Sequence, residues 1–195
     1  MPNTDLGDKH QLTIKEMFSH HSGLYPWIPF YKKTLDTTTN KPSKYWYHSK
    51  KAGDFEIKVS DNLFLKKTFL DTIQKNIISS ELSQKKEYVY SDLPFYLMKI
   101  YLEKLNSSDL DLQIKKKFLN TLGANYTSYN ANLFLKKDKI IPSELDDYFR
   151  HDKLTGYVHD MGAALQGGVG GHAGLFSNSN DVAKIMQMYL QRGLY

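Results

Sequence analysis

Residues 156–193 read GYVHDMGAALQGGVGGHAGLFSNSNDVAKIMQMYLQRG. Seven of the chain's twelve glycines fall between Gly156 and Gly174. So many positions without a Cβ describe a loop system in which backbone must pass close to something. Asp160, beside His159, is placed to cap a short helix. After the loops, Ser179 or Asn180 is expected to cap a helix over 181–192. Val182, Ile185, Met186 and Tyr189 share one face of it, and Gly193 stands past its end.

Working outward, the same helical period recurs upstream. DLDLQIKKKFLNTL (109–122) has acids in its first turn, lysines later and Gly123 beyond. LPFYLMKIYLEKL (93–105) follows Ser91 and Asp92, either of which can cap it, and carries Pro94 in its first turn. Phe69, Ile73 and Ile77 mark another apolar face. Near the start, Thr13-x-x-Glu16 is a capping-box pattern with Ile14, Met17 and Phe18 behind it, and Gly23 is placed to close that helix. The spacing predicts helices near 12–20, 68–81, 92–105, 109–121 and 181–192, with few residues in strands. The expected fold class is mainly α.

Residues 24–60 differ. Tyr25, Trp27, Phe30, Tyr31, Tyr45, Trp46 and Tyr47 share the stretch with three prolines, and no period of 2 or 3.6 is seen. It reads as an irregular aromatic-rich insert, its rings either anchoring a loop or forming a stacking surface. The whole of 1–195 is expected to be one unit.

Composition narrows the function. The 195 residues are 41% apolar and 24% charged, a globular balance. No apolar run is long enough to cross a bilayer. MPNTDLGDKHQL lacks the basic and apolar regions of a signal peptide. With no cysteine, disulfides, thiolate metal sites and cysteine nucleophiles are excluded. The net charge is +5, but only Arg150 and Arg192 among the 26 cations carry the guanidinium fork. The lysines come as scattered pairs and one triplet, which reads as a solvated surface rather than a nucleic-acid partner face. The seven histidines form no metal-ligand spacing, so neither metal nor cofactor is expected. GGVGGHAG lacks the ending of a phosphate-binding loop. Ser83-Gln84-Lys85-Lys86 is the one S-x-x-K match. It sits in a charged turn, where a lysine is not desolvated enough to take a proton from serine, so it reads as chance.

Several of these segments together resemble one family. Leu12 to Leu24, LTIKEMFSHHSGL, is similar to the "LTI-x-x-(L/M)-L-T-H-x-SGL" segment of the β-lactamase-related serine hydrolases, the family of class C β-lactamases and D-alanyl-D-alanine peptidases. Tyr88 to Leu97, YVYSDLPFYL, resembles its "Y-S-N" second motif, and Leu122 to Thr127, LGANYT, the "LGM-x-x-T" that follows. Gly156 to Asp160 and Gly167 to Leu190 resemble "G-x-VHD" and "GHAGLFS-x-x-x-DVAK". The GGHAGLFS form and the insert look most like β-lactamase-like domains appended to family 3 glycoside hydrolases.

The resemblance implies a helical subdomain of the β-lactamase/transpeptidase-like fold, with the α/β sheet half absent. The family's S-x-x-K nucleophile helix precedes the LTI segment, and its K/H-T-G strand follows the DVAK helix. Neither has a convincing counterpart, although His172-Ala173-Gly174 matches the latter superficially. The family's motif tyrosine, which helps shuttle the nucleophile's proton, maps to Tyr90. Asp92 takes the place of asparagine, an acceptor-only carboxylate for an amide that also donates. For Tyr90 a core or interface role stands as the bland alternative, and for Asp92 a helix cap. The implied catalytic pair is therefore Tyr90 and Asp92, with His172 and Gly174 as binding residues. The implied parent is a periplasmic or cell-envelope hydrolase of an amide or ester, such as a peptidoglycan peptide or β-lactam. The chain alone is expected to be inactive, to partner the missing sheet half and to self-associate through the exposed cleft face. The rival reading is a non-catalytic binding or structural module that keeps the fold.

Overall fold

The computed structural model describes residues 7–85 and 87–194. Lys86 of the S-x-x-K match, the extreme N-terminus and Tyr195 lie outside them. Helix α1 (Ile14–Phe18) starts on the expected capping box: Glu16 N–H donates to Thr13 Oγ1 at 3.2 Å, and Thr13 N–H to Glu16 Oε2 at 2.9 Å. It ends before Gly23. His20 takes the left-handed conformation there, at φ 58°. Gly23 instead lies against the 82–84 turn, where a Cβ would come within 2.6 Å of the Ser83 carbonyl oxygen.

The insert is not wholly irregular. Strands β1 (Tyr47–His48), β2 (Phe55–Ser60) and β3 (Leu63–Lys66) form an antiparallel sheet in the order β1-β3-β2. Phe55-Glu56-Ile57-Lys58-Val59 alternates apolar and polar residues, the period of a half-buried strand. Val59 and Leu65 are buried in the core. Helix α2 (Phe69–Ser79) then presents Phe69, Ile73 and Ile77 to that core, as their spacing predicts. Trp46 packs edge-on against Phe69, its ring 4.9 Å away, so this part of the insert anchors the loop.

Helix α3 (Leu93–Asn106) crosses the core with Leu93, Tyr96 and Leu97 buried, and stops where Ser107 adopts a left-handed turn. Helix α4 (Leu110–Ile114) runs through a π turn at Lys115–Leu119 into α5 (Asn120–Leu122), closed by Gly123 at φ 63°. Strands β4 (Ser128–Tyr129), β5 (Glu144–Asp146) and β6 (Asp152–Leu154) follow, then α6 (Met161–Ala164), β7 (Leu175–Phe176) and α7 (Ser179–Leu190). β4 pairs with β7, and β5 with β6, each antiparallel. Asn178, not Ser179 or Asn180, caps α7 by accepting the Asp181 N–H at 2.9 Å.

The expectation of a mainly helical chain is therefore corrected. The structure is about 40% helix and 13% strand, an α/β mixture with several sheets. The strands are short, two to six residues. Each pairs with a partner far away or across a tight turn, so local composition barely registers them.

Two polar nodes tie the loops to this frame. Arg150 donates to Asp146 at 2.6 Å and to the carbonyls of Val158 and His159 at 2.7 and 2.6 Å. Asp181 accepts the Tyr126 N–H at 2.7 Å, and Lys184 donates to the Gly123 carbonyl. The 122–127 and 181–184 segments are thus bonded to each other, which gives the aspartate and lysine of DVAK structural work.

Candidate active site

Residues 87–92 run extended along the segment that follows α1. Val89 N–H donates to the His20 carbonyl at 2.9 Å, Ser91 N–H to His20 Nδ1 at 3.2 Å, and Asp92 N–H to the Pro26 carbonyl at 3.1 Å. The Ser91 hydroxyl is buried, donates to the Tyr25 carbonyl and accepts the Leu93 N–H at 3.2 Å. Ser91 thereby satisfies the first turn of α3. Asp92 stands at the N-cap position of α3, but its side chain makes no capping bond.

The Tyr90 hydroxyl lies near the Asp92 carboxylate. Burial raises the Asp92 pKa above the ordinary carboxylate value; Asp160 adds to this, and the nearby His172 and His20 oppose it. Tyr90 itself is 61% exposed, which is not a core position. Its ring lies against that of His20, with centroids 4.5 Å apart.

The glycine loop approaches the same end of α3. His172 Nε2 bonds Asp160 Oδ1 at 2.9 Å, and its ring stacks on Tyr96 at 4.5 Å and 16°. Asp160 also caps α6 by accepting the Ala163 N–H at 2.7 Å, the role its sequence position predicts. Burial works to raise the Asp160 pKa, but the bonds from His172 and the Ala163 amide bring it below the usual range. His172 Nδ1 and the Tyr96 hydroxyl are both buried without a hydrogen-bond partner. A Cβ on Gly171 would sit 2.3 Å from the Phe95 carbonyl oxygen, so the loop touches α3 backbone to backbone. Lys99 of α3 holds the loop from beneath, donating to the Val169 carbonyl at 2.6 Å.

Asp92 therefore lies within electrostatic range of His172, while Tyr90 packs on His20. Gly174 does not contribute a contact to them. It is buried, at φ 122°, where a Cβ would strike the Gly168 carbonyl oxygen at 2.3 Å, so it shapes the loop. Of the insert's rings, Tyr25 and Trp27 are exposed on the strand of chain that holds Ser91 and Asp92, whereas Tyr31 packs on Tyr148 and Phe149 elsewhere. Ser83 lies in an exposed turn and its hydroxyl accepts the Lys85 N–H at 3.2 Å. Among the described residues no cluster of three histidine or acidic side chains is arranged to hold a metal, and no helix is long and apolar enough to cross a membrane. His20 and Asp160 belong to this site as well. Their signals were the histidine inside LTIKEMFSHHSGL and the acid of VHD, each more easily read as a turn or a cap.

The fold is shared with a solved structure, that of an octameric penicillin-binding protein homologue from Pyrococcus abyssi. The TM-score is 0.58 at 19% identity, over 94% of this chain and 35% of that one. In sequence, the chain is 29% identical over 206 residues to a protein of Escherichia coli (strain K12) named "Putative D-alanyl-D-alanine carboxypeptidase", with 100% of the chain matching 42% of that protein. It is 27% identical over 206 residues to "N-acetylmuramyl-L-alanine amidase" of Bacillus subtilis (strain 168), covering 41% of that protein. The chain thus spans about two fifths of the length of these curated relatives. No family model matches it. Together the relatives and the shared fold support a penicillin-binding-protein/β-lactamase-like hydrolase superfamily.

Proposed function

We propose that the chain supplies one wall of the catalytic cleft of a serine hydrolase that cuts amide or ester bonds in cell-wall peptides. The observation that carries this is the exposed Tyr90, its ring held against His20, two residues before the Asp92 that begins α3. A phenol in that position can pass a proton to and from a nucleophile presented from across the cleft. The serine and its lysine lie, on this reading, in polypeptide beyond the matched two fifths of the relatives. Tyr90 is the proton-shuttling group, with the Asp92 carboxylate near it. The relatives' names support a cell-wall peptide as the substrate class, and an envelope location goes with that substrate on this reading. Phe18, Trp27, Tyr88 and Val89 are exposed around the site, an apolar face of the kind that marks an interface. It is the seat of the remaining polypeptide and, without it, of a second copy. The narrower kinship with domains appended to family 3 glycoside hydrolases rests on GGHAGLFS and the insert alone.

A non-catalytic binding module is the second reading, favoured by Asp92 standing where the family's motif has asparagine. The two separate in the full gene product incubated with a peptide ending in D-alanyl-D-alanine. A hydrolase releases D-alanine, and Tyr90→Phe lowers that rate by about 10²-fold or more, the usual loss for a positioned proton-transfer group. Binding without release establishes the module.

A further inference from the structure

The aromatic insert and the segment after β5 line a cleft of about 590 Å³, the size of a small-molecule site. Tyr31 and Tyr148 form its corner: their rings meet edge to face, with centroids 6.2 Å apart at 68°. Both rings are fixed before anything binds. Tyr31 packs on the buried Phe149 at 5.3 Å. The Tyr148 hydroxyl donates to Glu144 Oε1 at 3.1 Å, and Glu144 lies 3.8 Å from the buried Arg150 guanidinium. Tyr148 nevertheless stays 39% exposed. The rest of the lining is largely polar. Asp36 accepts the Thr38 and Thr39 N–H groups at 3.1 and 2.9 Å and so shapes the turn that brings Thr37 and Asn40 to the cleft. The other segment contributes Asp147 and His151. Thr37, Asn40 and Asp147 are exposed, and among the described residues no hydrogen bond or ion pair engages their side chains.

Fixed rings beside hydroxyl, amide and carboxylate groups suit a ligand with an apolar face and hydroxyls around its edge. A pyranose with equatorial hydroxyls is such a molecule. Its C–H bonds point at the negative face of an aromatic ring, and each hydroxyl both donates and accepts. Charge argues the same way. Lys32, with or without a proton on His151, stands among Asp36 and Asp147, so neither sign dominates and an ionic ligand gains little. We infer that this cleft is a glycan-binding site. It takes a β-linked pyranose chain, whose equatorial linkages keep the C–H face flat. Tyr148 is the stacking ring, and Asp147 and Asn40 pair with the hydroxyls. Because Glu144 already holds Tyr148, little side-chain freedom is lost on binding. None of Tyr90, Asp92 and His172 lines this cleft, and the inference does not rest on the hydrolase reading.

The test is a titration of the isotope-labelled chain with cellotriose and chitotriose, two uncharged β-linked trimers, and with adenosine as a stacking base. The backbone amides of Thr37, Asn40, Tyr148 and His151 are followed. At least one trimer is expected to shift them with a Kd of about 1 mM, ordinary for an open site. Tyr148→Ala removes the ring and Asp147→Ala leaves it in place. Each, its fold checked by circular dichroism, is expected to weaken binding about tenfold or more. The inference is overturned by unmoved amides up to about 10 mM of both trimers, by adenosine binding as tightly as the better trimer, or by unchanged binding in either folded variant. The hydrolase reading is judged separately, by D-alanine release from the full gene product. Release without trimer binding removes the glycan site alone. Trimer binding without release removes the hydrolase alone.

Discussion

The His20 ring lies 4.5 Å from that of Tyr90, tilted by 34°, and the same imidazole accepts the Ser91 N–H through Nδ1 at 3.2 Å. One side chain therefore fixes both the proposed proton shuttle and the residue that caps α3. The bond to Ser91 places the proton of the neutral ring on Nε2. His20→Ala is expected to cost about 1–2 kcal/mol through the lost bond and ring contact. Urea unfolding measures that cost. In the variant the Tyr90 ring resonances should also move toward those of a free tyrosine. Unmoved Tyr90 resonances would show that His20 does not hold it.

Asp92→Asn should stabilise the chain at neutral pH. The folded-state pKa of Asp92 is raised, chiefly by burial. Between the ordinary carboxylate value and that raised value the native state binds more protons than the unfolded state, so stability falls as pH rises through this window. Asparagine removes the cost. The gain is present at neutral pH and fades toward pH ~3, where both states are largely protonated. Denaturant unfolding at the two values checks it, and an equal gain at both would place the cause elsewhere.

The Arg150–Asp146 pair has the opposite sign. Burial pushes the Asp146 carboxyl up, but the Arg150 bond and the Phe149 N–H outweigh it and hold the pKa below the usual range. Its contribution is present above the ordinary carboxylate value and is lost as pH falls through the lowered one. Arg150→Ala leaves a buried carboxylate without its cation and should cost about 3–5 kcal/mol. A double-mutant cycle with Asp146→Asn should recover part of that loss.

Gly171→Ala should be far worse than Gly53→Ala. The first places a Cβ 2.3 Å from the Phe95 carbonyl oxygen, whereas the second, at φ 50°, meets nothing within 4 Å. Backbone cannot yield cheaply, so about 2–3 kcal/mol is expected at Gly171 against about 1 kcal/mol at Gly53. Thermal melts of both variants rank them. Gly171→Ala should also lift His172 off Tyr96, read from the loss of ring-current shifts.

The helices were legible because their signals are local. The capping box at Thr13 and Glu16, the Phe69–Ile73–Ile77 face and the left-handed stop at Gly123 all lie within a few residues of what they specify. The sheets were not. β1 pairs with β3 past the intervening β2, and β4 with β7 across nearly fifty residues. Even the readable alternation of residues 55–59 was hidden among the prolines and aromatics of the insert. The site divided in the same way. Tyr90 and Asp92 stood out because they lie two residues apart in a motif. The His172–Asp160 bond spans twelve residues. The hold of His20 on Tyr90 spans seventy positions of chain, and no pattern in one sequence reveals it. The choice between Ser91 and Asp92 as cap needed hydrogen-bond geometry.

The central claim, that this chain carries a wall of the cleft but not its nucleophile, is tested most directly by intact-protein mass spectrometry after incubation with a penicillin. The expected result is an unchanged mass for the wild-type chain and for Ser83→Ala alike. A mass increase of one ligand, lost in Ser83→Ala, would contradict the claim and put the nucleophile in the exposed turn before residue 86.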